Sequence, residues 1–126
     1  MRFLLDSHIL LWFLDDPDVQ LSSEERDAIG APDHDVVVSV VTLWELAIKG
    51  ATGKLRLERP IRPQLIANDL IELPIRGSHT DCYHRLALHH RNPFDRMLVA
   101  QAIDEDLILI TRDAALHDYP VQILGR

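Results

Sequence analysis

Four acids, Asp6, Glu45, Asp95 and Asp113, stand where short apolar runs give way to helices or loops. Asp6 closes the run RFLL, and Glu45 lies in the helical stretch that follows VVV. Asp95 falls in the first turn of a helix opened by Asn92-Pro93, and Asp113 comes a few residues after LILI. Carboxylates are hard oxygen donors of the kind Mg²⁺ and Mn²⁺ take. Ions held this way stabilise charge on a phosphoryl oxygen and activate a water for attack. Each acid also has a purely structural use. Asp6 and Asp113 can cap the segments that follow them. Glu45 can be the third-position partner of Thr42 in a capping box and can pair with Lys49 one turn on. Asp95 is the third helical residue if Asn92 is the cap, where a negative charge also suits the helix dipole.

The elements that must position these acids follow from apolar spacing. Arg2 to Leu5, Val36 to Val38, Ile71 to Leu73 and Leu107 to Ile110 read as short strands, with Val121 to Leu124 as a short fifth. Ile9 to Leu14 is too apolar for a surface helix and predicts a buried one, and DDPDV predicts a turn. Ser22 with Glu25 three residues later predicts a capping box and a helix from Ser23 to Ile29, closed by Gly30 and Pro32. Trp44, Ala47, Ile48 and Ala51 have helical spacing, as do Leu65, Ile66 and Leu70. A further helix is predicted from about Asp81 to Leu88. Another begins at Asn92-Pro93 and carries Phe94, Leu98 and Ala102 as its apolar stripe. Unbroken apolar strands separated by helices predict an α/β fold, with a mostly parallel sheet of four to five strands covered on both faces. In such sheets ligands bind at the carboxyl ends of the strands, and all four acids come from elements that can converge there.

Composition narrows the function further. The 126 residues fit one domain, 1–126, and 47% are apolar, enough for an ordinary core. No apolar run is long enough to span a membrane. Asp6 and His8 interrupt the apolar start, so it does not read as a signal peptide. Cys82 is the only cysteine, which rules out an internal disulfide and fits a cytoplasmic protein. A net charge of −7 argues against a surface coated by non-specific nucleic acid, yet leaves room for an acidic, metal-neutralised nuclease site.

Four blocks, FLLDSHILLWFL, SVVTLWELAIKGATGKL, HHRNPFDRMLVAQA and ILITRDAALHDY, resemble the PIN-domain family in order and spacing, and within it the toxin ribonucleases of the VapC type. The resemblance covers essentially the whole chain. It implies a three-layer α/β/α sandwich and a metal-dependent endoribonuclease. It also implies that Asp6, Glu45, Asp95 and Asp113 are the catalytic, metal-binding acids for Mg²⁺ or Mn²⁺. Ser7 matches a small hydroxyl residue of the family. The resemblance further implies an RNA substrate, a homodimer, and a small VapB-type antitoxin that makes any DNA contact. One departure stands out: related chains often read HxDPFDR, whereas here Asn92 replaces the first acid. Asparagine keeps the capping role but removes a charge near the site.

Other polar residues divide between roles. His8, His89 and His90 lack zinc-site spacing. His89, His90, Arg91 and Arg96 are candidates for the substrate rim, where arginine binds phosphate. Lys49, Lys54, Arg56, Arg59 and Arg62 form a second basic stretch, open to RNA contact or plain solvation. Trp12 and Trp44 read as core or interface residues rather than base-stacking ones. The competing functions are a DNA-directed nuclease, a small phosphatase, and an inactive PIN-fold binding module. A haloacid-dehalogenase-type phosphatase expects a second aspartate two residues after the first, where this chain has His8.

Overall fold

The computed structural model describes residues 1–125. Strands Arg2–Leu5 (β1), Asp35–Ser39 (β2), Ile71–Leu73 (β3), Ile108–Ile110 (β4) and Ile123–Leu124 (β5) form one sheet in the order β3-β2-β1-β4-β5. Every pairing is parallel, with Phe3, Leu4 and Leu5 set against Ile108, Leu109 and Ile110 on one side of β1. The helices are Ser7–Asp15 (α1), Pro17–Gln20 (α2), Ser23–Gly30 (α3), Val40–Ala51 (α4), Ile61–Ala67 (α5), Gly77–Arg85 (α6) and Pro93–Asp104 (α7). A short 3-10 turn, Ala114–Asp118, follows β4.

Successive strand residues point to opposite faces. Phe3, Leu5, Val36, Val38 and Ile110 therefore pack on one side with Ile9, Leu10, Ile29 and Leu65 from α1, α3 and α5. Leu4, Val37 and Leu109 pack on the other side with Leu98, Val99 and Ala102 of α7. Both faces are covered, which is why the strands are apolar throughout instead of alternating. The result is the expected α/β sandwich, and its sheet is wholly parallel.

Several helix starts follow the sequence signals. The Ser22 hydroxyl accepts from the Glu25 N–H at 3.1 Å, and Glu25 Oε1 accepts from the Ser22 N–H at 2.8 Å. Asn92 Oδ1 accepts from the N–H groups of Phe94 and Asp95 at 2.9 and 3.3 Å. Other expectations need correction. Ser39, not Thr42, caps α4, its hydroxyl accepting from the Val41 N–H at 3.0 Å. β2 passes straight into the helix, so Glu45 cannot complete a box with Thr42, whose buried hydroxyl has no partner among the described residues. The DDPDV segment is not a plain turn, because Pro17 opens the short helix α2. α6 begins at Gly77 rather than Asp81, because His79 Nδ1 accepts from the Arg76 N–H at 2.9 Å. Trp44 is 57% exposed and so is not a core residue, which leaves the interface reading open, whereas Trp12 is partly buried and packs against the core. Within the helix expected to be buried, Ile9 and Leu10 are covered, but Leu11 to Leu14 are only partly so.

A part-buried ion pair holds the end of β4 to the first helices. Glu25 is 1% exposed, and both its oxygens accept from the Arg112 guanidinium. That guanidinium also donates to the Gln20 carbonyl at 2.8 Å and lies 4.9 Å from the centre of the Trp12 ring. Gly125 closes this corner with φ +108°, and a Cβ there would meet the Thr111 carbonyl oxygen at 2.8 Å and Glu25 Oε2 at 2.9 Å. Burial works against the charge on Glu25, but the Arg112 guanidinium and the Ser22 N–H outweigh it and hold its pKa below the ordinary 4.5. The folded protein therefore releases this proton more readily than the unfolded chain. The stabilisation is full above pH 4.5 and disappears as pH falls through the lower folded value. E25Q should cost about 1–3 kcal/mol at pH 7, lowering the melting temperature by about 3–10 °C. Thermal unfolding between pH 7 and pH 3 should show the gap from wild type closing at acid pH. A gap independent of pH would remove the ionised pair from the account.

Candidate functional site

Strands β1, β2 and β3 extend the sheet in one direction, and β4 and β5 extend it in the other. The crevice where strand order reverses lies between the carboxyl ends of β1 and β4, the place an open α/β sheet offers to a ligand. Asp6 follows β1 and Thr111 follows β4, and the Asp6 N–H still donates to the Ile110 carbonyl at 3.2 Å across that seam.

Asp6 is 6% exposed. Its Oδ1 accepts from the Ile9 N–H at 2.9 Å, which caps α1, and its Oδ2 accepts from the Thr111 hydroxyl. The oxygen of that hydroxyl accepts in turn from the Asp113 N–H at 3.1 Å. Asp113 caps the 3-10 turn by accepting from the Ala115 N–H at 3.0 Å through Oδ1. Its Oδ2 lies 3.7 Å from His90 Nε2, which is itself 3.0 Å from Asp95 Oδ2. One ligand atom each from His90, Asp95 and Asp113 thus falls within a 4.8 Å sphere of mutual distances.

The loop carrying His90 is pinned from below. The Tyr119 hydroxyl oxygen accepts from the N–H groups of His89 and His90 at 3.2 and 3.0 Å and from Arg96 Nη1 at 3.0 Å. Arg96 is buried, donates to the Ala87 carbonyl at 2.9 Å and stacks 4.8 Å from the Tyr83 ring centre. It is a strut for this loop, which corrects its candidacy for the substrate rim. His8 is exposed beside Trp12, and Ser7 is buried at the start of α1.

Glu45 stands apart from the tight group. It is buried on α4, and its described partner is Lys49 at 3.7 Å. Trp44 meets Phe94 edge-on at 5.1 Å, so the middle of α4 lies beside the first turn of α7, which carries Asp95. The sequence therefore located Asp6, Asp95 and Asp113 in one region, with Glu45 on an adjoining helix. It did not single out Thr111 as the bridge or His90 as the contact between two acids. The threonine was visible in ITRD, but its partner lies 105 positions away in the chain.

Burial pushes the Asp6 carboxyl above its ordinary pKa of 3.8, and the negative charge of Asp95 adds to that. The hydrogen bonds from Thr111 and the Ile9 N–H act in the opposite direction without cancelling it. A buried acid held against neighbouring acids is a site where a cation relieves both desolvation and repulsion. Oxygen donors with one imidazole suit a divalent ion. The residues present therefore fit a metal. A second His–carboxylate group, His79, Asp104 and Glu105, occurs near the opposite end of the sheet. There Arg76 already pairs with Glu105 at 3.1 Å, and the Arg2 guanidinium donates to the Glu105 carbonyl at 2.8 Å. That group serves as a clamp between α6, α7 and β1.

The PIN-domain family model matches residues 3–122 of the chain. No curated protein matches it in sequence. Among solved structures, a chain of VapBC2 from Rickettsia felis, solved bound to a DNA fragment from their promoter, is similar with a TM-score of 0.78 at 15% identity, covering 100% of this chain and 99% of that one. A chain of VapBC-1 from nontypeable Haemophilus influenzae is similar with a TM-score of 0.69 at 23% identity, over 99% and 98% of the two chains. A chain of VapBC-5 from Mycobacterium tuberculosis, a member of the VapBC family of toxin–antitoxin systems, gives a TM-score of 0.63 at 22% identity, over 99% and 98%. At these identities the likeness is one of fold. Among the described residues, no helix is long and apolar enough to cross a membrane.

The raised pKa of Asp6 has a consequence for metal-free protein. The folded state holds this proton more tightly than the unfolded chain, so the ionised carboxylate costs stability. Stability falls as pH climbs from the ordinary value of 3.8 through the raised one. Asn does not titrate and caps helices nearly as well as Asp. In chelator-treated protein, the melting temperature of D6N relative to wild type should rise across that pH window and then level off. A difference that stays flat from pH 3 to pH 8 would show that Asp6 carries no such burden.

Proposed function

The chain belongs to the PIN-domain family, and on that premise we propose that it is a divalent-metal-dependent endoribonuclease hydrolysing RNA phosphodiester bonds, the toxin of a type II toxin–antitoxin pair. The observation that carries this reading is the meeting of Asp95 and Asp113 at His90, with buried Asp6 tied to Asp113 through Thr111. Asp6, Glu45, Asp95 and Asp113 are the proposed residues for Mg²⁺ or Mn²⁺. When bound, such an ion offsets charge on the phosphoryl group and lowers the pKa of water. The chain's own contribution is to hold the acids in place before substrate arrives. Asp6 and Asp113 each give one oxygen to a backbone N–H, and Asn92 fixes the turn from which Asp95 projects. Lys49 balances Glu45 at the edge of the site. Arg96 and Arg112 are committed to packing. Arg91, exposed next to His90 and in no ion pair among the described residues, is the proposed phosphate contact.

The net charge of −7 leaves little general attraction for nucleic acid, so single-stranded or looped RNA that presents splayed bases is the proposed substrate. The proposed partner is a small VapB-type antitoxin, which makes the DNA contact, and the toxin acts as a homodimer. The support is an open groove lined by Leu11, Trp12 and Leu14 of α1 and by Leu55 and Ile61, with Arg56 and Arg59 also in its lining. An amphipathic helix buries apolar anchors in such a groove.

Partner-free protein incubated with RNA and DNA of matched sequence tests the activity. RNA should be cut only with Mg²⁺ or Mn²⁺ present, and D95N should lose at least about 100-fold in rate while keeping its fold. Cleavage of DNA with RNA left intact would replace the ribonuclease reading with a DNA-directed one. Expression of the chain alone should arrest growth of its host, and co-expression of a neighbouring antitoxin frame should restore it. Equal growth in both cases, with folded protein verified, would count against the toxin role.

A further inference from the structure

We propose that His90 is itself a ligand of the metal centre, so that the site takes one imidazole nitrogen with its carboxylates and favours Mn²⁺, Co²⁺ or Zn²⁺ over Mg²⁺. This rests on the reading that the acids hold a divalent ion. The sequence-level resemblance supplies only carboxylates for that role; the imidazole comes from the geometry. His90 Nε2 lies 3.0 Å from Asp95 Oδ2 and 3.7 Å from Asp113 Oδ2. Donors bound to one ion at about 2.1 Å stand about 3.0 Å apart at a right angle and about 3.4 Å apart at the tetrahedral angle. The separations observed bracket that spacing, and all three atoms lie within 4.8 Å of one another.

The three donors come from three independently braced segments. His90 is held through its backbone N–H by Tyr119, Asp95 through its N–H by Asn92, and Asp113 through its N–H by Thr111. Little ordering is left for the ion to impose. Both oxygens of Asp6 already accept hydrogen bonds, from Ile9 and Thr111, whereas Asp95 Oδ2 and Asp113 Oδ2 both face the imidazole. In the metal-free protein the Nε2–H donates to Asp95. To bind an ion the neutral ring presents the Nε2 lone pair, with its single N–H on Nδ1. The side chain is 25% exposed, which gives water access for that exchange. An imidazole nitrogen suits the borderline transition ions, whereas Mg²⁺ prefers oxygen alone.

The experiment loads wild type, H90Q and D95N, each stripped of metal, with Mn²⁺ and with Mg²⁺. Calorimetry reads affinity, and pulsed electron paramagnetic resonance reads nitrogen coupling to bound Mn²⁺. Protein labelled with ¹⁵N at histidine identifies the nitrogen without any substitution. Wild type should show histidine nitrogen coupling, H90Q should lose it, and Mn²⁺ affinity should fall at least about tenfold, with a smaller change for Mg²⁺. Mn²⁺ bound by wild type with no histidine coupling overturns the inference and leaves the carboxylate reading standing. Coupling that survives in H90Q also overturns it, assigning the nitrogen to another histidine. Failure of wild type to bind either ion, with D95N indistinguishable from it, overturns the metal-dependent reading as well.

Discussion

The Thr111 hydroxyl donates to Asp6 at the end of β1 and accepts from the backbone of Asp113 just beyond β4. Fold and site meet in that group. β1 and β4 are far apart in sequence and adjacent in the sheet, and their shared edge is where the strand order reverses. A hydroxyl with one donor and two acceptor positions can satisfy both sides of such a seam at once. Without it, a carboxylate that is almost wholly buried would keep only the Ile9 N–H as a described partner. The carboxylate that caps α1 and the backbone leading to Asp113 are joined through this one side chain.

Charge is managed around that seam by local pairing. Glu25 is paired with Arg112 and Glu45 with Lys49, while Asp95 and Asp113 both face the His90 ring. Arg112 and Arg96 come from the same two blocks as Asp113 and Asp95, yet both are spent on packing, against Trp12 and Glu25 in one case and Tyr83 and Tyr119 in the other. The chain therefore keeps few free cations near its acids. On the proposed ribonuclease reading, attraction for a phosphate would then come mainly from an ion held by the acids.

Much of this was readable from the chain. Apolar runs bounded by helices identified the strands, and the Ser22–Glu25 and Asn92-Pro93 signals located two helix starts. Asp6 and Asp113 were recognisable because a strand end is a fixed place in a parallel sheet. The failures have physical causes. Ser39 lies inside an apolar strand run, so its capping of α4 depends on the strand entering the helix without a loop. The start of α6 rests on a histidine acting as acceptor, which residue preferences do not single out. Trp44 was read as buried or at an interface from its apolar neighbours. In the protein it lies on the outer side of α4, where its contact with Phe94 leaves it more than half exposed. His90 was grouped with Arg91 and Arg96 as a candidate for the substrate rim, and nothing local in HHRNPFD shows that its ring turns to Asp95 and reaches Asp113.

Capping and metal binding looked like rival uses of the same acids, and the geometry of Asp113 leaves room for both. A carboxylate has two oxygens. In Asp113 one oxygen accepts the N–H that closes the 3-10 turn, and the other faces the shared histidine. Using one oxygen for the backbone fixes the side-chain torsion and so aims the second. A cap is thus a means of orientation, and a strand end followed at once by a helix or turn provides one wherever an acid stands there. Glu45 lacks this constraint: it sits in the second turn of α4, past the free N–H groups, with Lys49 as its only described partner. Asp113 has this bracing and joins His90 and Asp95, whereas Glu45 lacks it and stands apart from that group.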